Sequence, residues 1–317
     1  MTQWRTHVVK SSGLKARRAV ARGTVAVLAA ALVAAGTSAA SAADAPSRTA
    51  AQATTHAQPS GVSKFSATSG IQSGSSQDTA LYGVDSNGDI WGYPANGSGG
   101  LEARQYSGPG WKDARFITQA DGNADGVSDG LWDVTDGELS WTKWDSAPTP
   151  IGGGWNIYNR LLSAGNLGGA SADDLLARDS SGTLWLYLGY GTGKLTPRYK
   201  VGGGWNIYTD LAGKGDLTGD GKDDIVAKDS SGVLWLYQGT GESKAPFKAR
   251  TRIGSGWNTY NALVSVGDVN YDGITDLIAR DKTGALYLYK GTGKASAPYA
   301  SRVKIGNSGW NTYRLLF

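Results

Sequence analysis

The sequence predicts an all-β fold, a β-propeller of five blades with four antiparallel strands each and closure by the C-terminal strand. Three observations predict it. Gly-Trp pairs recur at Trp111, Trp155, Trp205, Trp257 and Trp310, at spacings of 44, 50, 52 and 53 residues. Between the pairs, short apolar segments follow one another in the same order, punctuated by Gly and Asp. An acidic nine-residue pattern occupies the same place in four of the repeats. A fixed period of this length marks stacked supersecondary units. Four-stranded sheets left apart would expose their edges, and radial arrangement protects them.

The chain begins with a basic head. Arg5, Lys10, Lys15, Arg17, Arg18 and Arg22 precede the apolar run 24–35, and small residues follow at 38–43. Basic head, short apolar body and small-residue site together predict a secretory signal peptide over 1–43, cleaved near Ala42 or Ala43. The run is shorter than the ~20 residues a transmembrane helix needs. Arg17-Arg18 hints at twin-Arg export, but the Ala-Val-Ala that follows favours general secretion. Residues 44–61, rich in Ala, Ser, Thr, Gln and Pro, predict a disordered linker. The propeller is expected over 62–317.

The whole chain carries +4, but the leader holds six basic residues and no acid, which leaves 25 basic against 27 acidic residues, or −2. No basic patch suited to nucleic acid is evident, so no nucleic-acid partner is expected, and no membrane attachment after cleavage. The chain has no Cys. A secreted protein without disulfides must draw its stability from core burial, metal or both.

Within one repeat the order is constant. An apolar stretch such as Leu263-Val-Ser-Val leads into the acidic loop, then Asp276-Leu-Ile-Ala-Arg, then a turn at Asp281-Lys-Thr-Gly284. Leu286-Tyr-Leu-Tyr289, a Gly-rich loop and Ser301-Arg-Val-Lys-Ile305 complete the unit. Asp at the first and Gly at the fourth turn position is type I chemistry, and 85–88, 179–182 and 229–232 match it. The β-branched, Leu and aromatic content predicts four strands per unit, and no long stretch after 62 has helical period. The repeats fall at 62–111, 112–155, 156–205, 206–257 and 258–317. The ending Tyr313-Arg-Leu-Leu-Phe317 matches a first strand, whereas Ala80–Val84 matches a second strand. The last strand therefore completes the first blade, although 62–69 could fill the same slot.

The acidic loop Asp268-Val-Asn-Tyr-Asp-Gly-Ile-Thr-Asp276 reads D-x-N-x-D-G-x-x-D. Ca²⁺ takes about 6–8 oxygen ligands, and a short loop can wrap them around it. Asp268, Asn270, Asp272 and Asp276 would give side-chain oxygens and Ile274 a main-chain carbonyl. The pattern recurs as Asp121, Asn123, Asp125, Val127 and Asp129, and as Asp216, Thr218, Asp220, Lys222 and Asp224. A fourth copy, from Asn166 to Asp174, keeps the register and has lost two oxygen ligands. The loop is not an EF-hand, since it ends in Asp and runs into a strand-like segment. Plain polar turns are the bland alternative, but a turn has no need of carboxylates at positions 1, 5 and 9. The expected cofactor is Ca²⁺.

These loops, each followed by a strand and a Leu-Trp-Leu-Tyr type segment, resemble FG-GAP/VCBS repeats over about residues 78–317. The resemblance implies an integrin-α-like propeller whose hairpin loops bind Ca²⁺. Segments such as Arg252-Ile-Gly-Ser-Gly-Trp-Asn-Thr-Tyr260 and Lys304–Phe317 are also similar to repeat boundaries of tachylectin-2-like five-bladed lectins. That second resemblance implies sites for N-acetylated sugars between blades, but those lectins lack the Ca²⁺ loops and their repeats are slightly shorter.

The only His residues are His7 and His56, both before the propeller, so Ser-His-Asp, Cys-His and zinc-His chemistry is excluded there. Glu102, Glu138 and Glu242 are the only Glu residues and show no convergent placement. No catalytic residue is assigned. Gly189–Lys194 is not a Walker loop, because Leu195 follows the Lys, and it reads as a hairpin loop. Asn96-Gly-Ser98 is a glycosylation sequon in a loop, but the bacterial-looking leader argues against its use. Trp185, Trp235 and Tyr287 read as blade-to-blade core. Trp155, Trp205, Trp257 and Trp310 could either pack or stack on a sugar, with Asn156, Asn206, Asn258 and Asn311 bonding its polar groups. The expected function is a secreted, monomeric, non-catalytic Ca²⁺-binding propeller that recognises an extracellular glycan or cell-wall polymer. The alternatives are a protein-interaction or structural propeller and a carboxylate-based glycan-cleaving enzyme.

Overall fold

The computed structural model describes residues 79–317. The leader, the linker and the candidate strand at 62–69 lie outside the described residues. Among the described residues, twenty strands form five four-stranded antiparallel sheets. Blade 1 holds β1 (Ala80–Asp85), β2 (Ile90–Pro94), β3 (Gln105–Gly108) and the last strand, β20 (Tyr313–Leu316). Blade 2 holds β4 (Ala114–Ala120), β5 (Gly130–Thr135), β6 (Glu138–Lys143) and β7 (Thr149–Gly153). Blade 3 holds β8 (Tyr158–Gly165), β9 (Asp174–Asp179), β10 (Leu184–Tyr187) and β11 (Tyr199–Gly202). Blade 4 holds β12 (Tyr208–Ala212), β13 (Ile225–Asp229), β14 (Leu234–Tyr237) and β15 (Thr251–Gly254). Blade 5 holds β16 (Tyr260–Val264), β17 (Leu277–Asp281), β18 (Leu286–Tyr289) and β19 (Val303–Gly306).

Composition tracks position in the blade. The second strands, such as Ile225–Asp229 and Leu277–Asp281, are buried nearly throughout and open on three consecutive apolar residues before a basic residue and Asp. A strand covered on both faces has no reason to alternate. The third strands alternate, with Leu184 and Leu186 buried and Trp185 and Tyr187 half-buried. The fourth strands are outermost and carry exposed residues in their first half. The core is accordingly shared out: each of five apolar clusters lies between two neighbouring blades. Ring closure is therefore itself a burial event.

The C-terminal strand fills the first-strand slot of blade 1. β20 pairs antiparallel with β1, aligning Gly83 with Leu316 and Val84 with Leu315. Tyr82 and Phe317 exchange two main-chain hydrogen bonds, at 2.8 and 3.0 Å, and their rings stack. Gly83 is required there, because a Cβ would sit 2.7 Å from the Tyr313 ring.

A basic side chain bridges every blade boundary. Arg314 donates to the carbonyls of Trp111 and Ala114, and Arg115 to Asn156. Arg178 donates to Trp205 and Tyr208, Lys228 to Tyr260, and Arg280 to Trp310 and Tyr313. Trp205 and Trp310 open 3-10 turns, Asn156 lies within one, and Ala114, Tyr208, Tyr260 and Tyr313 begin first strands. Single 3-10 turns occupy Trp155–Ile157, Trp205–Ile207, Trp257–Thr259 and Trp310–Thr312, each entered through a left-handed Gly.

Candidate functional site

Two faces carry the residues singled out by the sequence. The acidic loops join first to second strands on one face, and the Gly-Trp turns lie on the other.

In the acidic loops the position-1 carboxylate organises the backbone. Asp121 Oδ1 accepts the N–H groups of Asn123 and Ala124 at 2.9 and 2.7 Å, and Oδ2 accepts that of Gly126 at 2.7 Å. Asp216 does the same for Thr218, Gly219 and Gly221, and Asp268 for Asn270 and Gly273. Asn123, Asp125, Asp220, Asn270 and Asp272 each accept the N–H two residues on. Position 9 closes the loop: Asp129 accepts the Gly122 N–H, Asp224 those of Leu217 and Thr218, and Asp276 that of Val269. The three loops share one conformation. Position 4 is left-handed at Ala124, Gly219 and Tyr271, and position 6 at Gly126, Gly221 and Gly273. Ala and Tyr in that region cost of order 1 kcal/mol each, which the surrounding bonds must offset.

The fourth loop departs from this pattern. Asn166 donates to the Ala170 carbonyl and accepts only from Gly169, and no left-handed residue occupies position 6. Asp174 still accepts the Gly168 N–H at 2.7 Å. Burial pushes the Asp174, Asp224 and Asp276 carboxyls up to about 6, opposed chiefly by the N–H groups of Gly189, Gly239 and Gly291. The exposed side-chain oxygens of the complete loops belong to positions 3 and 5, at Asn123, Asp125, Asp220 and Asp272. Thr218 is buried; its hydroxyl helps hold the Asp224 carboxyl down yet meets no partner at full hydrogen-bonding geometry. Val127, Lys222 and Ile274 hold position 7, where their N–H groups bond back to position 5. Among the described residues, no three His, Cys, Asp or Glu side chains stand close enough together to hold a metal ion.

The Gly-rich runs are hairpin loops, as the sequence predicts, and each lies on the acidic loop of the preceding blade. A Cβ on Gly191 would fall 2.1 Å from the Gly122 carbonyl oxygen. One on Gly169 would fall 2.7 Å from the Gly241 carbonyl oxygen, and one on Gly219 2.8 Å from that of Gly293. Between blades 2 and 3 this seam opens into a cavity of about 340 Å³, lined by Asn123, Asp129, Trp141, Lys143 and Thr192.

On the opposite face the Gly-Trp indoles are packed, not offered to solvent. Trp155, Trp205 and Trp257 are 8, 6 and 7% exposed. Their rings lie 4.9, 4.7 and 4.6 Å from Tyr187, Tyr237 and Tyr289, and Trp310 lies 4.4 Å from Tyr93. Of the two readings left open for Trp155, Trp205 and Trp257, the observed arrangement is packing, with protein covering the rings. Asn156, Asn206, Asn258 and Asn311 remain exposed in a ring, although Asn206 and Asn311 each donate to a carbonyl of the preceding turn.

Trp185, Trp235 and Tyr287 are only partly blade-to-blade core. Each leans on the preceding blade's cluster, but an arginine caps its outer side: Arg198, Arg250 and Arg302 lie 4.1, 4.1 and 4.4 Å from the ring centroids. Arg104 does the same over Trp91 in blade 1. Each arginine also donates to a tyrosine hydroxyl, Tyr158, Tyr208, Tyr260 or Tyr313. The sequence reading missed these caps, because each arginine stands 13–15 residues beyond the ring it covers.

Residues 216–279 match the FG-GAP-like repeat. No curated protein sequence matches the chain. Among solved structures the chain is similar to Prp20p of Saccharomyces cerevisiae, whose report describes binding to Gsp1p and histones, at 11% identity and TM-score 0.37. That alignment covers 73% of this chain and 62% of Prp20p, so the chain spans less than two thirds of that protein's length. It is also similar to a Bacteroides caccae protein of unknown function (7% identity, TM-score 0.36, 72% of this chain and 73% of that one). A third similarity is to BBS1N, solved in complex with ARL6DN (11% identity, TM-score 0.35, 78% and 86% covered). Repeated loops, closed ring and matched repeat lead to one assignment: the chain is a five-bladed β-propeller carrying an FG-GAP-like repeat.

Proposed function

We propose that this protein is a secreted, monomeric, non-catalytic recognition propeller that holds Ca²⁺ in three loops and binds a protein partner. The observation that carries the reading is the common conformation of the loops at Asp121, Asp216 and Asp268. Each keeps its backbone bent by main-chain bonds to Asp, with an exposed carboxylate at position 5 and, in the Asp121 loop, an exposed amide at position 3. An all-oxygen donor set suits a hard cation, and an ionised carboxylate oxygen that accepts one N–H retains a second lone pair. The ion would hold together carboxylates that otherwise repel one another. The basic leader supports export, and the absence of His and Cys from the propeller supports a non-catalytic role.

Protein is preferred to glycan because the indoles of Trp111, Trp155, Trp205 and Trp257 are buried. The glycan reading is favoured only by the exposed ring of Asn156, Asn206, Asn258 and Asn311. Isothermal titration with Ca²⁺ tests the first part, with about three sites expected. An absence of heat, together with an unchanged melting temperature, would refute it. Affinity capture from culture medium and a glycan array, both run with Ca²⁺, separate the partner classes. Glycan binding lost in Asn206→Ala and Asn258→Ala would replace protein with sugar, and released reducing sugar would replace both with a hydrolase.

A further inference from the structure

The first strands of all five blades line a central cavity of about 150 Å³. One water needs only about 10–15 Å³ of such space, so the cavity has room for a small solute. The repeats are most unequal at its end on the Gly-Trp side. Asp210 of β12 lies there, and its counterparts on the other first strands are Arg160, Ala262, Phe116 and Leu315. The second strands contribute Arg178, Lys228 and Arg280 in blades 3 to 5, where blades 1 and 2 have Val84 and Val134.

Four cations therefore share one carboxylate. Lys228 Nζ lies 3.7 Å and Arg160 Nη1 4.0 Å from the Asp210 carboxylate, and its charge also reaches Arg178 and Arg280. Asp210 is itself occupied, accepting the Leu263 N–H at 3.1 Å. The group carries a net charge of +3 when all are ionised, in partial burial: the Lys228 and Asp210 side chains are 8 and 13% exposed, while Arg160 opens to solvent at 40%. Burial pushes Arg178 and Lys228 below their usual values, and repulsion from Arg160 adds to both. Uncompensated charge of one sign, drawn partly out of water, is costly unless an opposite charge joins it.

We infer that this end of the channel is an anion site, which takes the phosphate, sulfate or carboxylate group of a small ligand between Arg160 and Lys228. Arginine and lysine are the side chains suited to such groups; Arg160 already gives Nη2 to the Thr209 carbonyl, so it offers its charge and Nη1, and Lys228 acts as a point charge. Asp210 sets the strength of the site by competing with the incoming anion. The assignment stands on the inner strands alone, so it is independent of the loop reading above.

The test uses the whole exported chain in chelator, with inorganic phosphate, sulfate or acetate added at low millimolar concentration against chloride at matched ionic strength. Saturable one-to-one binding by isothermal titration is expected, accompanied by a rise in melting temperature. A response to phosphate and sulfate alone identifies a tetrahedral oxyanion, and one to acetate a carboxylate. Arg160→Gln should weaken binding at least tenfold, whereas Asp210→Asn should strengthen it. Lys228 is a boundary clamp, so Lys228→Met serves only as a second check where circular dichroism shows it folded. Anion responses no larger than that of chloride in the unsubstituted protein, or undiminished binding in Arg160→Gln, would overturn the inference.

Discussion

Asp173 of blade 3 accepts the main-chain N–H of Asp121 in blade 2 at 2.8 Å. The same bond recurs one boundary on, where Asp223 accepts the N–H of Asn166 at 2.5 Å. At the next boundary Thr275 takes over and donates to the Lys214 carbonyl. All three residues hold position 8 of an acidic loop, just before the closing Asp. Each loop is thereby tied to the preceding blade by the residue beside its last carboxylate.

This relationship predicts an asymmetry between two substitutions. Asp223→Ala should strand the Asn166 N–H at a part-buried seam, at a cost of about 1–3 kcal/mol. Asp223→Asn keeps an acceptor oxygen. Burial already pushes the Asp223 carboxyl up to about 7, so the neutral amide resembles the state populated near neutrality. Chemical denaturation should therefore find Asp223→Asn close to the parent and Asp223→Ala clearly weaker. Equal losses would mean that charge, not hydrogen bonding, does the tying.

The architecture was legible in the sequence because it is written several times over. The Gly-Trp spacing gave the blade count, and the mismatch between Tyr313–Phe317 and Ala80–Val84 gave the closure that β20 and β1 make. The slot left open to 62–69 is taken by Tyr313–Leu316. The boundary cations were not legible. Arg178 and Trp205 lie 27 residues apart, and nothing local to either reveals the bond. The basic cluster escaped notice for the same reason. Arg160, Arg178, Lys228 and Arg280 are scattered over 120 residues and meet only when blades 3 to 5 stand side by side. Position 8 was not legible because the oxygen side chains that repeat from loop to loop stand at the odd positions 1, 3, 5 and 9. The Gly-Trp indoles were ambiguous in principle, since a repeated packing position and a repeated binding position share one period.

The closing boundary offers a sharper test of ring integrity. Arg280 donates to the carbonyls of Trp310 and Tyr313 at 2.9 and 2.7 Å, anchoring the chain just before β20. Bonds from a charged donor are worth about 1.5–3 kcal/mol each. Arg280→Ala should lower stability by about 3 kcal/mol and speed proteolysis at the C-terminus before the global transition. Arg280→Lys should recover part of the loss, because Lys228 spans the preceding boundary with a single bond to Tyr260. Protease-resistant ends in Arg280→Ala would show that the β20–β1 ladder closes the ring unaided.

Trp257 and Asn258 are neighbours in sequence with opposite environments. Trp257 is 7% exposed and packs on Tyr260 and Tyr289, whereas Asn258 is exposed. Removing a buried Trp side chain costs about 3–5 kcal/mol. Trp257→Ala should therefore lower the melting temperature substantially, with Asn258→Ala nearly silent. A stable Trp257→Ala protein would return the indole to the list of ligand contacts.

The last expectation concerns pH and rests on Asp133. This carboxyl in β5 is 1% exposed; Oδ2 accepts the Thr135 hydroxyl at 2.9 Å, and Oδ1 has no partner. Burial pushes it up to about 7, against an ordinary value of 3.8. Between those two values the folded state holds a proton that the unfolded chain has released. Its contribution to stability is thus complete below about pH 4, falls as pH rises to about 7 and is flat beyond, at about 1.4 kcal/mol per pH unit at most. Asp133→Asn keeps the shape and removes the titration. Other buried carboxyls, Asp174, Asp223, Asp224 and Asp276, titrate in the same window, so the informative quantity is the difference between the two proteins. Measured by urea unfolding in chelator, Asp133→Asn should match the parent near pH 4 and exceed it by a few kcal/mol at most near pH 8. A difference independent of pH would show that Asp133 stays ionised in the fold and that its unpaired oxygen is met by water.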